Sequence, residues 1–174
     1  MPSRRLVNVG GFLACAGMLG YAFYAERVLR LEPCPLCMFE RVGVALLGVA
    51  FLAAALHDPA SRAGARFHAV LIGLVAAFPG YVAGRHVYIQ SLPEGSVPSC
   101  GASLDYMLEV FPLLTVVRKV LTGGGECAKI DWTLLGLSMP GWVLVGVVLL
   151  AVAGILANWR APASHAHQVS IASS

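Results

Sequence analysis

Charge is what this sequence has least of. Its 174 residues include 12 Lys and Arg and 9 Asp and Glu, about half the charged share of an ordinary soluble domain. Lysine is scarcer still, because ten of the twelve basic residues are arginine. They are scattered with no basic run, so no nucleic-acid partner is expected. With 58% apolar residues and a mean hydropathy of +0.77, disorder and a collagen-like chain are excluded as well. The missing charge is concentrated: Leu6 to Ala25, Val42 to His57, Phe67 to Gly84 and Trp132 to Trp159 hold none. A bilayer core about 30 Å thick takes roughly 20 helical residues, so each block is a candidate span. The second, at 16 residues, reaches that length only by borrowing neighbours.

Period-2 alternation is also absent, which excludes barrel strands and leaves helices as the spanning elements. The expected fold class is therefore all-α: an integral membrane four-helix bundle in one domain, 1–160, with spans about 6–25, 37–57, 67–84 and 140–159, and a polar tail, 161–174. The N-terminal run after Arg4 and Arg5 resembles a signal peptide, but it continues unbroken to Tyr24, longer than a signal core. Pro140 suits a helix start, so the fourth span is expected to begin near Met139 or Pro140. Trp142 and Trp159 then lie about 26 Å apart along the helix, as aromatic anchors at two interfaces would. Gly10, Gly11, Gly17, Gly20, Gly43, Gly48, Gly73, Gly80 and Gly84 are read as helix-packing positions.

Four spans put both termini on one side. That side carries Arg4, Arg5, Arg62, Arg66 and Arg160 against one acid, Asp58, while the other eight acids fall in the two opposite connections. By the positive-inside rule both termini are expected in the cytoplasm. The long opposite connection has Leu104, Met107, Leu108, Phe111, Leu114, Val117 and Leu121 at three- and four-residue spacing, read as an amphipathic segment at the membrane surface, bent at Pro112. Gly123-Gly124-Gly125 follows and is expected to give Cys127 mobility.

Of five cysteines, Cys15 lies mid-span and reads as a small packing residue. Cys34, Cys37, Cys100 and Cys127 fall two in each opposite connection, an arrangement suited to an oxidising compartment. Cys34-Pro35-Leu36-Cys37 is a C-x-x-C, shared by zinc ligands, haem attachment and thiol redox sites. Met38 in place of histidine excludes haem attachment, and the 26 residues between Cys100 and Cys127 disfavour structural zinc; no metal is expected. Two structural disulfides are the plainer alternative to redox chemistry. Pro33 and Pro35 start the second helix at the C-x-x-C, placing Cys37 in its first turn, where the helix dipole favours a thiolate. Arg41, one turn on, is costly at the membrane interface unless paired or functional. Glu40 is a candidate partner for it, and snorkelling to the headgroups is the plain alternative. The sharper expectation is that Arg41 assists the Cys37 thiolate and donates to a lipid-soluble acceptor beside it.

Cys-Pro-Leu-Cys-Met-Phe-Glu-Arg at the start of a second span, a second cysteine pair after the third, and Cys127 followed by Trp132, Gly136 and Met139-Pro140-Gly141-Trp142 resemble the bacterial DsbB family. The resemblance implies an inner-membrane enzyme that reoxidises the periplasmic dithiol oxidase DsbA and passes the electrons to ubiquinone or menaquinone. It implies that Cys100 takes the mixed disulfide with the partner, that Cys127 attacks Cys34, and that Cys37 hands electrons to the quinone with Arg41 orienting it. His86, near the outer end of the third span, is the candidate for a quinone-site histidine. A vitamin K epoxide reductase-like enzyme is the rival within membrane oxidoreductases, disfavoured because its C-x-x-C comes late in the chain. A non-catalytic four-span protein with two structural disulfides is the rival outside enzymes.

Overall fold

The computed structural model describes residues 3–59, 61–93 and 104–159. Four helices are long and apolar enough to cross a membrane: α1 (Arg4–Arg27), α2 (Pro35–His57), α3 (Arg62–Gln90) and α7 (Met139–Trp159). Between α3 and α7 lie α4 (Leu104–Val110), α5 (Leu113–Thr122), α6 (Gly125–Ala128) and a hairpin of β1 (Thr133–Leu134) and β2 (Leu137–Ser138). α1, α2 and α3 start before their charge-free blocks because caps and a proline, not the first apolar residue, define the starts, whereas α7 starts inside its block at Met139. Ser3 Oγ accepts from the Leu6 amide, and Ser61 Oγ accepts from the Gly64 amide. Pro35 at the first position starts α2.

α3 packs along α7 and α2, and α1 packs along α2. Their shared core is Cys15, Val44, Leu47, Phe51, Ile72 and Val147. Phe51 organises it: a Cβ on Gly11 of α1 would come within 2.6 Å of its ring, and one on Gly154 of α7 within 2.8 Å. The ring thus fills a slot that glycine opens on two helices. Gly43 likewise admits Pro79 of α3, at 2.7 Å from its would-be Cβ. Gly10, Gly17, Gly20 and Gly84, by contrast, face open space. At the terminal end, Asn8 and Asn158 are fully buried and exchange reciprocal amide hydrogen bonds of 3.2 and 2.9 Å, and Asn158 also donates to Gly154 O at 2.8 Å.

At the opposite end the connection folds back over the start of α2. A second core joins Cys34 and Leu36 to Val82 and Ile89 of α3, Met107, Val116, Val120 and Cys127. Met107 turns to the protein as the spacing suggests, but after the break at Phe111–Pro112 the buried face of α5 is Val116 and Val120, one position off the expected stripe, with Val117 and Leu121 half-buried and Leu114 exposed. Arg85 of α3 donates to the terminal carbonyls of α5, Leu121 O at 3.2 Å and Thr122 O at 3.1 Å. Two glycines of the run have defined places in this conformation. Gly123 ends α5 at φ +81°, where a Cβ would run into Ile89, and Gly124 caps α6. Leu135 and Gly136, both at positive φ, make the tight turn of the hairpin. Trp142 Nε1 donates to Leu134 O at 3.0 Å, tying the hairpin to the start of α7.

Candidate functional site

Cys34 is the N-cap of α2. Its backbone is extended (φ −70°, ψ 164°), and its Sγ accepts from the Cys37 amide at 3.3 Å. The cap brings the two sulfurs of the C-x-x-C to 2.9 Å, both as free thiols. Cys37 is in the first turn, as the flanking prolines require. Cys127, held by the turn of α6, is buried against Cys34.

The three sulfurs have unequal environments. The Cys127 thiol is drawn down to about 6, first because Cys34 donates to its sulfur, with further support from the Leu36 and Gly124 amides and the charge of His86; burial opposes this. Cys34 is pushed up, because it is the donor to Cys127 and Cys37 and is buried. An electron-rich Cys127 sulfur therefore faces Cys34.

His86 of α3 reaches into the same point. Its Nε2 lies 3.7 Å from Cys34 Sγ, and its Nδ1 lies 2.8 Å from Glu40 Oε1. His86 is 2% exposed and Glu40 5%. Burying two such groups is costly unless they satisfy each other, and here they do. Glu40 is thus taken by His86 and not by Arg41. Neighbouring residues on a helix point about 100° apart, so the two cannot serve one partner. Arg41 turns instead to α1, where it pairs with Glu26, donates to Ala22 O at 3.1 Å and lies over the Phe23 ring at 5.1 Å. No hydrogen bond joins Arg41 to Cys37 among the described residues. Both line one cavity of about 460 Å³, together with His86, Met139, Trp132 and Trp142.

Of the residues singled out from sequence, Cys34, Cys37, Cys127 and His86 are in one cluster, and Arg41 is on the cavity beside it. Cys100 lies outside the described residues. Glu26 was missed as a site member, and Glu40, expected beside Arg41, is paired with His86 instead. Glu40 carried a signal, an acid one turn from Cys37, but its partner is 46 positions away on another helix. Cys34, Cys37 and His86 also offer three metal-ligating atoms within 4.8 Å of one another.

The family model "Disulfide bond formation protein DsbB" matches residues 4–157. Among curated relatives, the disulfide bond formation protein B of Acinetobacter baumannii is 49% identical over 150 residues, covering 85% of this chain and 86% of that one. That of Hahella chejuensis is 48% identical over 85% of this chain and 86% of its own. That of Methylococcus capsulatus is 45% identical over 92% and 98%. No solved structure matches the chain significantly.

Proposed function

Because the chain belongs to the DsbB family of disulfide bond formation proteins, we propose that it oxidises the reduced periplasmic dithiol oxidase DsbA and passes the electrons to a membrane quinone, ubiquinone or menaquinone. The observation that carries the proposal is the packing of Cys127 against Cys34, which lines a cavity together with Cys37, Arg41 and His86. One thiol from the second connection therefore meets the C-x-x-C where a lipid-soluble acceptor has room.

The relay follows from thiol exchange chemistry. A partner thiolate attacks Cys100 of a Cys100–Cys127 disulfide, forming a mixed disulfide and releasing Cys127 as a thiolate. Cys127 attacks Cys34 of the Cys34–Cys37 disulfide, and the Cys37 thiolate leaves. The second partner thiol attacks the mixed disulfide, which yields oxidised partner and frees the Cys100 thiolate. Cys100 then attacks Cys127, restoring the outer pair and leaving Cys34 and Cys37 reduced. Closing Cys34–Cys37 again delivers two electrons and two protons to the quinone, which supplies the two-electron sink. The net reaction is dithiol plus quinone giving disulfide plus quinol.

The residues suit a quinone. Trp132, Trp142 and Met139 give the cavity flat and apolar surfaces, while Arg41, held by Glu26 and Ala22 O, and His86 supply polar groups at its wall. Arg41 would orient a carbonyl oxygen and offset charge near Cys37. The same reading takes the cysteine end as periplasmic and both termini as cytoplasmic, in the inner membrane. It is supported by Arg4, Arg5, Arg62 and Arg66 at the opposite end.

The test is to mix the purified protein with reduced dithiol oxidase and quinone and follow quinol. Folded protein that forms none overturns the proposal. Cys37→Ser should abolish quinol formation while Cys100 still traps the partner. A partner trapped through Cys37 instead would contradict the assigned order, and full activity without Cys37 would favour a non-catalytic role for the pair.

A further inference from the structure

We propose that the reduced C-x-x-C and His86 form a three-ligand site for a soft divalent cation of the zinc and cadmium class, with a fourth position open to the cavity. Zinc-type sites take thiolate at about 2.3 Å and imidazole at about 2.0–2.1 Å in tetrahedral geometry, which sets donor atoms roughly 3.5–3.8 Å apart. Here the two sulfurs are 2.9 Å apart, Cys34 Sγ and His86 Nε2 are 3.7 Å apart, and all three donors lie within 4.8 Å. Small side-chain rotations bring them to that spacing. The spacing of cysteines along the chain hides this site, because its third ligand comes from α3.

The surroundings of His86 strengthen the assignment. Metal-ligating histidines almost always use one ring nitrogen for the ion and donate the other N–H to a carboxylate, which fixes the ring and makes it a better ligand. His86 has that arrangement, with Nδ1 on Glu40 at 2.8 Å and Nε2 toward the sulfurs. The cavity of about 460 Å³ that Cys34, Cys37 and His86 line gives an entry path and room for a fourth ligand, a water or a thiol.

Binding is tied to redox state. Each thiol releases its proton to solvent and the two thiolates offset the charge of the ion, with no electron transferred. A disulfide between Cys34 and Cys37 has no thiolate to offer. The ion and the disulfide are therefore mutually exclusive, and bound metal holds the pair in its dithiol form.

The test uses the full chain in detergent with Cys100→Ser and Cys127→Ser, so that no other outer thiol competes. The protein is reduced with a phosphine, freed of reductant anaerobically and titrated with Cd²⁺ while thiolate-to-metal charge-transfer absorbance is followed. One Cd²⁺ per reduced chain is expected, and none on the Cys34–Cys37 disulfide form. His86→Ala and Glu40→Gln should each weaken binding roughly 10- to 100-fold, and Cys15→Ser should leave it unchanged. Equal binding by the disulfide form, or unaltered affinity in His86→Ala, overturns the site. A two-sulfur site would show the same dependence on redox state, so His86→Gln is titrated beside His86→Ala, and unaltered affinity in whichever variant folds overturns the three-ligand site. Quinone reduction is not read in this assay, so its outcome is independent of the proposed relay.

Discussion

Gly10 and Gly11 are neighbours in α1 with opposite surroundings, and alanine at each makes a controlled experiment. At Gly10 a Cβ meets nothing within 4 Å. At Gly11 it meets three ring carbons of Phe51 at 2.6 to 2.8 Å. The ring cannot retreat, because it is 1% exposed and Gly154 bounds it on α7, where a Cβ would already be within 2.9 Å of two ring atoms. Both substitutions gain the same helix preference of alanine over glycine, up to about 1 kcal/mol. Gly11→Ala alone also overpacks a filled slot, at a cost of about 1–3 kcal/mol. Gly10→Ala should therefore be neutral or stabilising, and Gly11→Ala should be less stable than it by about 1–3 kcal/mol. Thermal unfolding in detergent, with an SDS titration as a second measure, reads the difference, and the common helix term cancels. Phe51→Leu should restore part of what Gly11→Ala loses. Equal stabilities for the two alanine variants would refute the account of Phe51 as a ring held between glycines.

Other outcomes follow from single contacts. Asn8→Leu removes both reciprocal amide bonds but leaves Asn158 its bond to Gly154 O. Interhelical hydrogen bonds in membranes average about 0.6 and reach about 1.7 kcal/mol, so a loss of about 1–2 kcal/mol is expected in the SDS titration. Asn8→Leu with Asn158→Leu should be closer to wild type than Asn8→Leu alone; a double variant worse than either single one would show that the pair is not acting as a unit. Gly123→Ala combines a left-handed φ with a collision against Ile89, so limited proteolysis should cut the connection before α7 faster while the long helices resist as before. Unchanged cleavage would mean that α6 does not depend on that turn. Glu26→Gln removes the ionic partner of Arg41, and on the proposed reaction it should raise the KM for quinone several-fold more than it lowers kcat. A fall in kcat with KM unchanged would separate Arg41 from acceptor binding.

Much of the scaffold was legible because membrane physics writes itself along one dimension. The charge-free blocks located four long helices, Pro33 and Pro35 located the start of α2, and Pro140 located that of α7. The chemistry of Cys34 and Cys37 was legible for the same reason, since a helix start and a C-x-x-C coincide within four residues. What escaped the sequence depends on how helices are rotated against each other. Nothing in the linear order pairs Glu40 with His86 or Arg41 with Glu26, and adjacency suggested Glu40 for Arg41 instead. The glycines make the same point: nine looked alike as packing positions, yet Gly11 and Gly43 touch another helix closely and Gly10 and Gly17 touch nothing. Asn8 and Asn158 were hidden inside blocks valued only for lacking charge.

The N-cap of α2 is a sulfur atom, and this makes the end of the helix a participant in any reaction at Cys34. A free thiol sulfur there is a different acceptor for the Cys37 amide from a sulfur committed to a disulfide, so the first turn tightens or loosens as Cys34 changes partner. N-caps contribute about 1 kcal/mol, which for a two-electron couple corresponds to about 20 mV. Part of the reduction potential of the pair is therefore set by backbone winding, and amide exchange at Leu36, Cys37 and Met38 should report the oxidation state of a sulfur that carries no chromophore.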